Sequence, residues 1–277
     1  MDELLQENQD LIEAAVDRAG AQFGGVEDEL EKRLLAFLKR FATKGGKYER
    51  DVANKKLLSM IDREVRSLAD TKKLTAAMDD LFTNFDQLGE NLATFHKQRN
   101  GFTIGAGPIN NARQAVADQT AFSMTEAGYS SKFADPVRRA LYSAVNFGAS
   151  VGETERQISM LVRGQGDGKG GMLQSWVGQV SRDALNQFEG HVHAEVADKF
   201  ELTHLHYVGH LVRDSRSQCR RWVEQEFIAL ADLEAEIRWA FRYGSGMIPG
   251  TNKTNFIVRR GGYNCIHTAY PTRDPNA

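Results

Sequence analysis

Only two of the 277 residues are cysteines, too few for a disulfide framework to hold the fold together. The formal net charge is −2, so no global electrostatic pull toward nucleic acid or membrane exists. No apolar run approaches the roughly 20 residues needed to span a bilayer. The opening Met1-Asp2-Glu3-Leu4 is acidic and leads into no apolar stretch of signal-peptide length, which makes assembly in a reducing cytoplasm the expectation. A Ser-centred nucleophile elbow, a paired-carboxylate motif and a dinucleotide-binding glycine fingerprint are all missing. What remains is a chain with 41% hydrophobic and 26% charged residues, ordinary values for a folded globular protein and enough for a sizeable core.

The first hundred residues read as helix. Leu4, Leu11, Ala15, Ala19 and Phe23 recur at four- and seven-residue steps, and Gly24-Gly25 is expected to break that pattern. A second run, Val26 to Phe41, ends before Gly45-Gly46. Helices over 48–68 and 72–95 complete this region, whose amphipathic faces suit a bundle or a partner's helices. Residues 101–108 form a Gly- and Pro-containing boundary. Asp135-Pro136 reads as an N-cap followed by proline at the first helical position, and Ser150-Val151-Gly152-Glu153 as a capping box. Five glycines between Gly164 and Gly171 mark a loop without the Lys-Ser/Thr ending of a phosphate cradle. A long helix follows over 172–200.

The character changes at Leu202. A strand of about eight residues is expected around Leu205, Tyr207, Val208 and Val212, then a helix over 230–243, a short strand over 255–260 and another over 267–270. The fold class is mainly α, with a helical N-terminal region and a small α+β C-terminal module. Its divisions are 1–100, a helical region for oligomer or partner contacts, 101–201, a helical core region, and 202–277, the α+β module.

Two stretches of that module hold both cysteines: Asp214-Ser215-Arg216-Ser217-Gln218-Cys219 and Gly261-Gly262-Tyr263-Asn264-Cys265-Ile266-His267. Each thiol is framed by charge, glycine or histidine, and the two stretches are expected to meet. Six of the seven histidines follow residue 190, and His204-x-His206 on a strand would put both rings on one face. Cys219, Cys265 and His267 can be drawn as a zinc site. The Cys-x-His gap is tighter than the usual ligand spacing, which favours a buried thiol pair, reduced or bridged, over a metal. The Asp214-x-Arg216 pair can act in catalysis or fix its loop by charge-assisted hydrogen bonds, with the structural use favoured. His210, Arg213, Asp214 and His267 offer a ribonuclease-type alternative, an acid–base pair with arginine at a phosphate. Arg238, Arg242, Lys253, Arg259, Arg260 and Arg273 form a tract of cations without an intervening acid, which is either a solvated face or a surface for nucleic acid.

The order Tyr207-Val208-Gly209, Asp214-x-Arg216-x-x-Cys219, a Trp-bearing helix, then Gly261-Gly262-Tyr263-Asn264-Cys265-x-His267 before Pro271 resembles the C-terminal module of phage minor head proteins, the Mu F-like head morphogenesis family. The helix from Gln179 through Phe188 resembles the segment preceding that module. The similarity spans about residues 135–272 and is strongest over 205–271. Members often carry a second cysteine near the Asp-x-Arg element and an arginine after the final cysteine. Here Arg220 and Ile266 stand in the corresponding slots, leaving Cys219, Cys265 and His267 as the matched candidates for a metal. The resemblance implies a virion structural protein acting in head morphogenesis, made in the host cytoplasm and built into the head in multiple copies. It also implies contacts with the portal or other head proteins, and non-specific contact with DNA that is packaged or ejected. It implies architecture, with Asp214, Arg216, Cys219, Gly261, Gly262, Asn264, Cys265 and His267 as a clasp, no required cofactor and zinc as the one candidate. The alternative is a C-terminal nuclease or toxin-like enzyme acting on nucleic acid.

Overall fold

The computed structural model describes residues 3–66, 72–123, 134–164, 171–263 and 265–275. The chain is predominantly α-helical, with a smaller β/α region toward its C-terminus. In order the elements are α1 (Glu3–Leu38), β1 (Thr43–Lys44), β2 (Lys47–Tyr48), α2 (Val52–Arg66), α3 (Lys72–Asn100), α4 (Ala106–Ser123), α5 (Asp135–Phe147), α6 (Val151–Arg163) and α7 (Met172–Lys199). Then come β3 (His204–Val208), α8 (Ser217–Gln225), β4 (Phe227–Ala229), α9 (Leu233–Tyr243), α10 (Phe256–Arg259) and β5 (Thr268–Thr272). No helix among the described residues is long and apolar enough to cross a membrane.

The residues form two compact units that are discontinuous in sequence. One comprises 1–14, 82–119 and 182–277, the other 15–81 and 120–181. Division at residues 100 and 201 follows the chain, whereas the contacts group its first residues with its last.

In the second unit, Leu30, Leu34, Phe37, Phe41, Leu58, Val137, Leu141, Ile158 and Val162 are buried. Helix α1 runs unbroken through Gly24-Gly25, against the expected break. Two interior glycines cost about 1 kcal/mol each relative to alanine, and the buried stripe of Ala15, Ala19, Leu30 and Leu34 on both sides offsets that. Gly45-Gly46 ends no helix; both take left-handed φ values, 60° and 73°, and turn a hairpin pairing Thr43 with Tyr48. The helix expected from 48 therefore starts at Val52. Buried Asn54 seals the hairpin base, accepting from Ala42 N at 2.8 Å and donating to the carbonyls of Ala42 and Glu49 at 2.9 and 2.8 Å. Phe37, Phe41 and Tyr48 pack edge to face at 5.4 and 5.9 Å. Ser150 caps α6 by accepting from Glu153 N, as its sequence requires. The glycine-rich 165–170 stretch lies outside the described residues.

In the first unit, an antiparallel sheet of order β4-β3-β5 carries the chemistry. β3 alternates in burial, with Leu205 and Tyr207 facing a core of Trp222, Ile228, Leu233, Phe256 and Ala269. Its other face carries His204, His206 and Val208, so the two histidines share a side. There Leu5 of α1, Phe95 of α3 and Tyr270 of β5 pack together. Pro271 sits in β5, an edge strand that among the described residues pairs with β3 alone and so tolerates a missing N–H. The strand expected over 255–260 is instead the single-turn helix α10. Adjacent Phe256 and Ile257 are both buried, a short apolar run whose period cannot separate strand from helix. β3 spans five residues, and Val212 lies in an exposed loop beyond it.

Candidate metal centre

Three elements bring the cysteine stretches together. Cys219 rides on α8, Cys265 follows the turn after α10, and His267 precedes β5. The two sulfurs stand 4.0 Å apart, both thiols free and buried, and His267 Nδ1 lies 3.7 Å from Cys265 Sγ. All three donor atoms fall within 4.8 Å of one another. Metal–ligand bonds of about 2.3 Å to sulfur and about 2.0 Å to nitrogen put tetrahedral neighbours about 3.5–3.8 Å apart. The S–S and Cys265–His267 edges lie within tenths of an ångström of those spacings, and the three donors would have to draw in along the Cys219–His267 edge to hold a metal ion. Tyr207 Oη is a fourth polar atom, 3.6 Å from Cys219 Sγ and 3.5 Å from Cys265 Sγ.

Electrostatics divide the two thiols. Cys219, donating to Cys265 and buried, holds its proton more tightly than a free thiol does. Cys265 is pulled down, first by that hydrogen bond and then by His267, against the cost of burial. Burial next to both sulfurs pushes Tyr207 up, so its hydroxyl stays protonated. The direction at Cys265 is toward the thiolate, the form in which a cysteine binds a metal. The His267 ring stacks on Tyr207 at 5.7 Å and 22°. Its Nε2 is buried with no hydrogen-bond partner among the described residues, so it lacks the acceptor that usually orients a metal-bound imidazole. Packing fixes the ring instead: a Cβ on Gly209 would lie 2.6 Å from His267 Cδ2.

Glycine is dictated at both positions of the Gly261-Gly262 pair. A Cβ on Gly261 would meet Cys219 Sγ at 2.5 Å, Cys265 Sγ at 2.9 Å and Tyr207 Oη at 2.9 Å. Gly262 has φ +105°, and its Cβ would fall 1.9 Å from Gly246 O. Arg216 ties this turn down, donating to Gly261 O at 2.8 Å and to Tyr263 O. Fully buried Gln218 donates to Ser245 O at 2.6 Å and to Gly261 O at 3.2 Å.

Of the expected clasp, Arg216, Cys219, Gly261, Gly262, Cys265 and His267 come together, while Asn264 lies outside the described residues. Asp214 does not join them; it sits on the exposed turn after β3. Arg220, following the first cysteine, fixes that loop instead, donating to the carbonyls of Ser215, Val212 and Arg213 at 3.0, 2.7 and 2.8 Å. The ribonuclease-type quartet is not assembled either. His210, Arg213 and Asp214 are exposed, whereas His267 is 3% exposed and closed off from any substrate.

The basic tract also divides. Arg260 is 2% exposed and is no surface for nucleic acid. It pairs with buried Glu189 at 2.7 Å and donates to His267 O at 2.9 Å, to Ile257 O at 3.2 Å and to Asn186 O. Thr268 Oγ1 completes the carboxylate at 2.8 Å. An uncompensated guanidinium would be prohibitive there, and a stretch of cations gives no hint of a buried carboxylate on α7. Arg238 pairs with Glu234 at 3.0 Å and Arg259 donates to Pro249 O at 2.9 Å. Arg242 lies over Tyr243 at 5.3 Å and Arg273 over Phe102 at 5.4 Å. Lys253 is exposed.

Two further groups went unread in the sequence. Glu236 accepts from Arg221 at 2.9 and 2.8 Å and from Trp222 Nε1 at 3.0 Å, hydrogen bonds that hold its carboxyl below the usual range. Buried His96 and His193 share a 2.9 Å hydrogen bond. Comparison with known families, with curated proteins and with solved structures finds no match to this chain.

Proposed function

We propose that the chain is a minor structural protein of a tailed-phage head, whose C-terminal module is locked by a zinc-bound clasp and serves assembly. One observation carries this reading. The residues on which the family resemblance rests, Tyr207, Arg216, Cys219, Gly261, Gly262, Cys265 and His267, converge on one knot whose sulfurs and imidazole are buried. A set of three donors buried away from substrate suits a structural ion, and two sulfurs with one imidazole suit zinc. When bound, the ion would tie α8 to the segment leading into β5; the chain supplies Cys219, Cys265 and His267, with Tyr207 Oη beside them. Assembly in the host cytoplasm, multiple copies in the virion, contacts with the portal or other head proteins and salt-sensitive contact with DNA belong to the same reading.

The test is co-expression with the portal and coat proteins of a tailed phage. The chain should sediment with assembled heads and carry about one zinc per copy by elemental analysis, and Cys265→Ser should lose both. Heads that lack the chain, with purified protein free of metal, would overturn the assignment.

The second reading, an enzyme acting on nucleic acid, draws on a different place. An open groove of about 420 Å³ gathers His206, His210, Arg99, Glu226 and Tyr270, the residue types of acid–base phosphoryl chemistry. Cleavage of RNA or DNA by the purified chain, lost on His206→Gln and kept on Cys265→Ser, would favour it.

A further inference from the structure

The groove beside β3 has a chemistry of its own. Arg99 closes α3 in its last turn, is exposed, and makes no ion pair among the described residues. It faces His206 closely enough for its charge to bear on that ring. His206 is held on two sides, stacked on Phe227 at 4.4 Å and 25° and hydrogen-bonded through Nδ1 to Tyr270 Oη. That leaves Nε2 as the ring's remaining polar atom. Burial, and then the Arg99 charge, hold the imidazole below its ordinary pKa, so at neutral pH it presents a neutral ring.

Glu226 supplies the opposite function. Its backbone has φ 62° and ψ −57°, a strained region for a residue with a side chain. Both of its backbone groups are committed: its N–H donates to Trp222 O at 3.1 Å, and its carbonyl accepts from Tyr207 N at 2.8 Å. The strain thus places a carboxylate on the groove wall, within electrostatic reach of His206. Leu5, Val208 and Val223 add an apolar wall.

From this arrangement we infer that the groove binds a ribonucleotide unit, its phosphate at Arg99 and His206, a sugar hydroxyl at Glu226 and its base against the apolar wall. A guanidinium fork and imidazole donors match phosphate oxygens. A carboxylate has only acceptors at neutral pH and needs a hydroxyl or amine donor opposite it. A bare anion would leave Glu226 opposed, and an apolar ligand would leave Arg99 and Glu226 without partners. The volume suits one nucleotide, within the roughly 300–1,000 Å³ of small-molecule sites. Free mononucleotide and a single strand threading the groove offer the same chemistry. The inference does not depend on the virion assignment or on the metal.

The experiment uses the full chain with AMP, adenosine and a labelled single-stranded ten-nucleotide RNA, binding being followed by calorimetry and fluorescence anisotropy. AMP should bind at least tenfold more tightly than adenosine, and Arg99→Gln and Glu226→Gln should each weaken AMP about tenfold or more, the scale of one charge-assisted hydrogen bond. RNA binding at least tenfold tighter than AMP, with the same sensitivity to Arg99→Gln, identifies a strand as the occupant; equal affinities identify the free nucleotide. Glu226→Gly, which relieves the backbone but removes the carboxylate, should raise thermal stability while weakening AMP. Equal affinity for AMP and adenosine overturns the inference. So does RNA binding that ignores Arg99→Gln and disappears on charge reversal at Arg242 and Lys253.

Discussion

Replacing Gly261 by alanine adds one methyl group at the tightest point of the clasp. That carbon would sit 2.5 Å from Cys219 Sγ, 2.9 Å from Cys265 Sγ and 2.9 Å from Tyr207 Oη. The backbone cannot simply back away, because Gly261 O accepts from Arg216 at 2.8 Å and from Gln218 at 3.2 Å. Overpacking of this kind costs about 1–3 kcal/mol, and each kilocalorie lowers Tm by about 2–4 °C in domains of ordinary size. Displacing the sulfurs should also weaken metal binding at least tenfold, the usual scale for disturbing the groups that position ligands. Thermal unfolding by circular dichroism and zinc competition against a chromophoric chelator measure the two effects. Gly152→Ala is the control: it sits in the first turn of α6 with nothing within 4 Å of its added carbon, and should be neutral or stabilising by up to about 1 kcal/mol. Adding Tyr207→Phe removes one of the three collisions, so the double variant should lose less than the summed single losses. A Gly261→Ala protein with unchanged Tm and unchanged zinc affinity would refute the clasp geometry.

Acid should destabilise the first unit through its buried histidines. His96 is pulled down to about 2, by burial and then by His193, and His193 is likewise held low by burial. Both stay neutral in the fold while the unfolded chain protonates near 6.5. Stability is therefore complete above that value and falls by about 1.4 kcal/mol per pH unit for each ring as pH drops below it. Urea midpoints at pH 7 and 5.5 should show a shallower decline in His96→Gln, and parallel slopes would contradict this account. Arg260→Met leaves Glu189 charged and unpaired, costing about 3–5 kcal/mol; Arg260→Met with Glu189→Met should recover most of it in denaturant titrations. For the remaining exposed cations, Arg242→Glu and Lys253→Glu should each weaken duplex DNA binding and lower its salt slope by about 1, and a flat salt dependence of the parent protein would remove DNA from the proposal.

The sequence carries what depends on local chemistry and loses what depends on long-range compensation. Ser150 with Glu153 and the alternation of Leu205 and Tyr207 are local devices, and both appear where their pattern puts them; Asp135, expected as an N-cap, instead lies in the first turn with Pro136, and Ala134 holds the cap position without a side-chain cap. Gly24-Gly25 reads as a stop because propensity argues so, yet packing on both flanks carries the helix through. Asn255–Arg260 reads as a strand because a short apolar run has no decisive period. The candidate ligands were legible as a residue set, since two thiols and a nearby histidine are rare enough to name, although their spacing favoured a thiol pair over a metal. Their support was legible only in part: Arg216 belonged to the expected clasp, whereas Tyr207 and Gln218 act through sulfurs and carbonyls supplied by other elements.

Arg260 makes the physical reason plain. By composition it belongs with Arg259 and Arg273, and only the fold separates them. Its guanidinium holds Glu189 of α7, and its Nη1 donates to the carbonyl of His267. The same side chain thus fixes the backbone of the imidazole facing Cys265. Because that ring finds no acceptor at Nε2 among the described residues, its orientation rests on backbone placement and on stacking against Tyr207. A conservative Arg260→Lys would keep the charge opposite Glu189 but could not reach Ile257 O, His267 O and Asn186 O together, since an ammonium lacks the planar fork. That change should weaken zinc affinity more than it lowers Tm, because the loss falls on the ligand's position and not on the buried charge. Equal proportional losses would mean that the ion pair supports the fold alone, and that the clasp is held by its sulfurs.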